Sequence, residues 1–351
     1  MQSETTIAVT GASGLVGGHT CTHLAGKGFR VIAIARRREK LSELQNQWQS
    51  ARLSIETRLA DVCRADELER ALIGADVVVH AAASVDPYGS RQSIFDTNVG
   101  GTLNAISAAK TCGVKQFIHI SSLSVITGQG DQFDVDESEP LKPCGEAYAD
   151  SKVEAERLVM TAGEQWKGSL AVTILRPGFI YCPGEKAWMP RLINSIRTGK
   201  AMLIDGGLKE TNVIYIENLS RAISAAVLNE RAYQQVYNLT DGQKISKKQL
   251  FDAIADGLDL PRVRKVIPSV IARPACELIS AIAPLMPVDT QRKLSRFSRA
   301  AFRLAGVNQG FSIAKAERDL NYVDRIPFES GMKETLASFR NGSVREFVQT
   351  H

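Results

Sequence analysis

With 351 residues, 44% of them hydrophobic and 23% charged, the chain carries enough apolar material for one large domain or two coupled ones. A formal charge of +5 makes no electrostatic case for nucleic acid, and six cysteines without C-x-x-C or metal-ligand spacing point to reduced thiols and no metal site. No run of about 18 uncharged apolar residues occurs and MQSETT lacks a basic leader region, so the expectation is a cytoplasmic protein without a spanning helix.

Taken in chain order, IAVT (Ile7 to Thr10), VIAIA (Val31 to Ala35), VVVHAAA (Val77 to Ala83), FIHIS (Phe117 to Ser121) and LAVTIL (Leu170 to Leu175) each have strand length. Such near-continuous apolar runs suit strands buried on both faces, and the intervals between them are long enough for crossover helices. The fold class is therefore α/β, a doubly wound parallel sheet of Rossmann type. After Pro177 the stretch GFIYCPGE reads as an irregular loop, and later elements are less evenly spaced. Residues 1–180 are expected to form the dinucleotide-binding domain, with about 208–240 returning to it. Residues 181–351 then form a smaller, mainly substrate-binding region.

TGASGLVGGH puts Gly11, Gly14 and Gly17 between the first strand and a helix. Glycines there allow a tight turn and close approach of a pyrophosphate to the helix N-terminus. The second strand ends in Arg36, Arg37 and Arg38 where a carboxylate for the NAD ribose would stand; no Asp or Glu occupies Val31 to Arg38. Guanidinium favours a 2′-phosphate, so NADP(H) is preferred over NAD(H), with Arg36 the first candidate and Arg37 the second. Arg38 reads as a solvated charge opening the next helix. Asp61 and Val62, placed at the end of the third strand, are candidates to reach the adenine.

AYADSKVEAERL places Tyr148 and Lys152 four residues apart on one helix face. A nearby ammonium and an oxidised nicotinamide would favour the phenolate, which suits Tyr148 to proton exchange while Lys152 holds the ribose. HISSLSV ends the fifth strand in Ser121, Ser122 and Ser124; Ser122, just past the strand end, is the choice to hold a substrate oxygen against the phenol. The others read as strand-capping hydroxyls.

These stretches, with ADV, HAAA, NVGGTLNAI, ILRPGFIYCPGE and YIENLSRA, resemble the extended short-chain dehydrogenase/reductases over essentially the whole chain. The resemblance implies a catalytic Ser122, Tyr148 and Lys152, with Asn98 supporting a proton relay. It also implies cofactor contacts from Ser13, Leu15 and Val16 in the glycine turn, from Ala81, Ala82 and Ala83, and from Pro177, Gly178, Phe179 and Ile180. HAAASVDPYG and SIAKAERDLNYVDRIPFESGMKETL bring the chain nearest the branch of 3β-hydroxysteroid dehydrogenases and sterol-4α-carboxylate 3-dehydrogenases, which usually prefers NAD.

Pro261 to Arg303 holds nine basic residues against two acidic ones, a local +7. VIPSVIARPACELISAIAPLMPV is mostly apolar but broken by prolines, while Arg292, Arg296, Arg299 and Arg303 recur at helical spacing opposite Leu294, Phe297, Ala301 and Leu304. Two readings stay open: a peripheral membrane contact admitting a lipid substrate, or a lid or homodimer surface with solvated arginines.

The leading functional expectation is an NADP(H)-linked oxidoreductase interconverting a secondary alcohol and a ketone on a hydrophobic substrate, a sterol or steroid 3-position, with decarboxylation where a carboxylate stands β to the ketone. The alternatives are reduction of a long-chain β-keto acid or acyl ketone, nucleotide-sugar epimerisation or dehydration, and NADP sensing without turnover. Tyr88, Trp188 and Met189 are expected to shape the pocket.

Overall fold

The β-branched runs pair into one parallel sheet. It contains β1 (Thr6–Thr10), β2 (Arg30–Ala35), β3 (Ile55–Leu59), β4 (Val77–His80), β5 (Gln116–Ile120), β6 (Ala171–Pro177) and β7 (Gln235–Leu239). Their order is β7-β6-β5-β4-β1-β2-β3, every pair parallel, which is the doubly wound arrangement expected. The computed structural model describes residues 5–86, 89–127, 130–283, 286–287, 290 and 297–341.

Alternation sends side chains to both faces, and helices cover each. Ile7, Val9, Val31 and Ile118 point toward α1 (Leu15–Gly26), α2 (Arg38–Ser50) and α8 (Ile216–Ala226). Ala8, Ile32, Val78 and Phe117 point toward α3 (Ala65–Leu72), α5 (Gly101–Thr111) and α6 (Ala147–Gln165). The adjacent Phe117 and Ile118 are both fully buried, on opposite faces, and each such side chain contributes about 1.5–3 kcal/mol. A short helix α4 (Arg91–Phe95) and a π turn, Asp96–Gly100, lead into α5.

The later chain adds α7 (Met189–Arg197), α9 (Lys247–Gly257), α10 (Ser269–Ile282), α11 (Arg299–Gly306), α12 (Ala314–Leu320) and α13 (Phe328–Asn341). Buried Asp241 ties this part to the sheet: it accepts from the Tyr181 hydroxyl at 2.7 Å, the Tyr215 amide at 2.8 Å and Asn218 at 2.8 Å.

Four local expectations are corrected. The run Val77 to Ala83 is a strand only to His80; Ala81, Ala82 and Ala83 are extended chain beyond it. The third strand ends at Leu59, so Asp61 and Val62 lie past it. GFIYCPGE is not wholly irregular, because Phe179–Tyr181 pairs with Val213–Tyr215. Of the arginine stripe, Arg303 does not face solvent, being 6% exposed and bonded inward; Arg299 is exposed, and Arg292, Leu294 and Arg296 lie outside the described residues.

Candidate active site

The turn after β1 closes only with glycine. Gly11 has φ +69°, and a Cβ there would stand 2.7 Å from the Ala82 backbone; at Gly17 it would stand 2.3 Å from the Gly11 carbonyl oxygen. Gly14 donates its amide to that oxygen at 2.8 Å and caps α1, whose first turn holds no acid and no side-chain cap. A bare helix N-terminus behind a close-packed glycine turn fits a dinucleotide pyrophosphate. Ser13 lies within this turn, Leu15 and Val16 open α1 and lean on the core, and Ala81, Ala82 and Ala83 line its other side half-buried.

The end of β2 stands between the glycine turn and residues 60–62, because Ala12 donates to Ile34 O at 3.0 Å and Ala60 to Ala35 O at 3.1 Å. Arg36 follows directly, with 64% of its side chain exposed and Nη1 4.0 Å from Asp61 Oδ2. A surface contact that long holds a guanidinium only loosely. Arg37 is the residue before α2 and Arg38 its first. Asp61 accepts from the Cys63 amide at 3.0 Å, and the Val62 carbonyl is engaged by Asn104 at 3.0 Å.

Ser122, Tyr148 and Lys152 come together at the carboxyl end of β5. Tyr148 and Lys152 project from the first turns of α6, and the Ser122 hydroxyl lies beside the phenol, near enough to draw its pKa down. Burial pushes the Tyr148 phenol above its ordinary value and Ser122 draws it part of the way back, so the expected tuning toward phenolate is not present in the protein alone. Lys152, 5% exposed, donates to the Ile120 carbonyl at 2.7 Å; burial lowers it to about 8, with Glu156 pulling the other way.

Asn98 sits in the π turn, 1% exposed. It accepts from the Ser84 amide at 2.6 Å and donates to Ser84 O at 3.1 Å and to Ser151 Oγ at 2.9 Å. Its side chain therefore clamps the loop after β4 to α6 one residue before Lys152 and does not bond Lys152 itself. The segment Pro177–Ile180 passes the same end of the sheet. A Cβ on Gly178 would meet Asn212 O at 1.9 Å, the Phe179 amide donates to that oxygen at 2.7 Å, and Trp188 Nε1 donates to Ile180 O at 2.8 Å. Of the expected pocket residues, Trp188 is half-buried, Met189 is fully buried in the core, and Tyr88 lies outside the described residues.

A family model described as the 3-beta hydroxysteroid dehydrogenase/isomerase family matches residues 8–251. The chain belongs to this family. It is an NAD(P)-dependent oxidoreductase of the extended short-chain dehydrogenase/reductase type, acting on CH–OH groups. It is 26% identical to a 2-alkyl-3-oxoalkanoate reductase of Shewanella oneidensis, over 94% of this chain and 85% of that one. It is 28% identical to a decarboxylating sterol-4-alpha-carboxylate 3-dehydrogenase of Schizosaccharomyces pombe, over 93% and 95%. It also shares the fold of the dTDP-glucose 4,6-dehydratase DesIV of Streptomyces venezuelae, solved with NAD and TYD, at TM-score 0.74 and 20% identity over 96% and 97%.

Two buried networks brace this candidate site and escaped the sequence reading. Thr102 Oγ donates to Asn98 O at 2.6 Å, so at 3.1 Å it accepts from His80 Nε2; His80 Nδ1 then accepts from Thr10 Oγ at 2.9 Å. Burial, with Lys152 nearby, lowers His80 to about 3, keeping it neutral in this single tautomer. The chain links the strand before the glycine turn to the Asn98 turn. In the second network Glu156, 0% exposed, takes a charged fork from Arg176 and a hydroxyl from Ser121 at 2.5 Å. Ser121 is thus a partner of Glu156 rather than a strand cap. The only signal was a glutamate one turn after Lys152, which reads equally as a solvated helix charge.

Proposed function

We propose that the enzyme uses NADP(H) to interconvert a secondary alcohol and a ketone at the 3-position of a sterol or steroid. The observation carrying this reading is the cluster of Ser122, Tyr148 and Lys152 at the carboxyl end of β5. Bound nicotinamide supplies or accepts the hydride. The protein does the rest: the Tyr148 hydroxyl donates its proton to the ketone oxygen in reduction, and Ser122 holds that oxygen beside the phenol. Lys152 contributes positive charge below about pH 8. A phenol raised by burial stays protonated across the working range, which suits a proton donor. The NADP(H) preference rests on Arg36 at the end of β2, held only by a 4.0 Å surface contact.

Arg36 also favours a second reading. NADPH drives reduction in a cell, and a long-chain 3-oxo acid is the matching substrate; a relative carrying that activity in its name aligns over 94% of the chain. Under the first reading, a carboxylate β to the new ketone leaves as carbon dioxide because the ketone takes up the electron pair of the breaking bond. The test is nicotinamide absorbance with 3-hydroxysterols, their 4-carboxylates, 3-ketosteroids, long-chain 3-oxo acids and nucleotide sugars, each with NADPH or NADP. Turnover of the sterol group supports the first reading and of oxo acids alone the second. Turnover of nucleotide sugars alone refutes both.

A further inference from the structure

α6 meets the end of β5 through a stripe of side chains, one per turn. Tyr148, Lys152 and Glu156 follow one another at intervals of four, and each faces one of three consecutive residues at the strand end. Ser122 lies beside the phenol, the Ile120 carbonyl accepts from Lys152 at 2.7 Å, and the Ser121 hydroxyl donates to Glu156 at 2.5 Å. Glu156 stands about two turns behind the phenol and also reaches the neighbouring strand. Arg176, 2% exposed, donates Nε and Nη2 to its Oε1 at 3.0 and 2.5 Å. Arg176 directly precedes Pro177–Ile180, the segment read as a cofactor contact. One fully buried carboxylate thus ties together the strand end that carries Ser122, the helix that carries Tyr148 and Lys152, and the end of β6.

The charges around Lys152 make this carboxylate more than a brace. On β4 and β5, His80 and His119 are fully buried with their rings stacked 5.7 Å apart. Burial, with the lysine nearby, holds both imidazoles far below their ordinary value, so neither carries charge. The Tyr148 phenol, pushed upward by burial, is neutral as well. On β6, Arg176 is a second cation. Among the described residues, Glu156 is the anion that raises Lys152 against the burial that lowers it to about 8. A carboxylate one helical turn from an ammonium, in an interior that screens poorly, stabilises the charged form.

We propose that Glu156 is a positioning residue for the reduction: it is the counter-charge that keeps Lys152 an ammonium, and the tie that holds Ser122, Tyr148 and Pro177 in one register. Its part in the reaction rests on the functional reading above, in which a charged Lys152 serves the proton donor. The experiment follows the titration of Lys152 by NMR of protein carrying isotope-labelled lysine, with the signal assigned by its loss in Lys152→Met. Alongside it runs the pH profile of kcat for ketone reduction by NADPH. The wild type is compared with Glu156→Gln and with Arg176→Met/Glu156→Leu, which removes the ion pair as a unit and so keeps the test open if the single variant does not fold. The wild-type signal should titrate near pH 8. In the double variant the midpoint should fall by about one pH unit and the alkaline limb of kcat with it, so the rate drops roughly fivefold at pH 8 and stays within about twofold at pH 6. Glu156→Gln should move the midpoint further, because the Arg176 guanidinium then faces the lysine uncompensated. A role in packing alone lowers the rate equally at every pH and leaves the lysine titration in place; that result overturns the proposal, as does an unmoved midpoint in the double variant. A wild-type protein that reduces no ketone overturns the functional reading instead, while the NMR midpoint still decides whether Glu156 sets the charge of Lys152.

Discussion

Replacing Lys152 by Met should make the protein more stable while removing its activity, with an advantage that depends on pH. Burial lowers this lysine from an ordinary 10.5 to about 8, which corresponds to about 3 kcal/mol against the folded state. The sign follows from proton counts. Below about pH 8 both states carry the ammonium and the cost is full; as pH rises from 8 toward 10.5 the unfolded chain binds more protons, and the cost fades. Met keeps the apolar stem but gives up the bond to Ile120 O, about 1 kcal/mol. The variant should therefore gain about 2 kcal/mol at pH 7. At roughly 2.1 cal/mol/K per residue, that raises Tm by about 3 °C for a chain of this length. By about pH 9.5 the charge cost falls to about 1 kcal/mol and the gain disappears. Thermal unfolding of both proteins without nucleotide, followed from pH 6.5 to 9.5, reads this directly. A Tm difference that stays constant over that range would refute the reasoning.

Arg36→Asp should move the ratio of kcat/KM for NADPH over NADH roughly a hundredfold toward NADH, since a 2′-phosphate then meets a carboxylate instead of a guanidinium. An unchanged ratio takes Arg36 out of cofactor selection. Arg176→Met leaves Glu156 buried without its cation and should cost about 3–5 kcal/mol in chemical denaturation, whereas Arg176→Met/Glu156→Leu should recover most of it. Equal loss in the single and double variants would show that packing, and not the uncompensated charge, sets the cost.

Legibility followed burial. β1, β2, β4, β5 and β6 were readable because strands covered on both faces become unbroken β-branched runs, and the glycine turn was readable because no other residue closes it. The third strand was placed only by its end, and two to three residues too far on, with no run assigned to it: in IETRL at the sheet edge only Ile55 is buried, so neither an apolar run nor clean alternation survives. Spacing brought out Tyr148 with Lys152, since a helix makes residues four apart neighbours. No spacing rule connects Glu156 to Arg176 twenty residues on, or Thr10 to His80 across two strands, because those contacts exist only after the sheet is assembled. Prolines in the apolar insert read as breaks, yet α10 runs through Pro274 and turns its largest side chains outward. Arg303, taken for a solvated member of a stripe, is instead buried against Glu146.

The central claim is that Tyr148 passes the proton during a nicotinamide-dependent reduction. Its most direct measurement is single-turnover reduction of a hydrophobic 3-ketone by Tyr148→Phe, alongside NADPH affinity from fluorescence titration. The account predicts that the hydride step slows at least a thousandfold, about 4 kcal/mol, while NADPH affinity stays within a few-fold of wild type. A wild-type rate in the variant with NADPH still bound would contradict it.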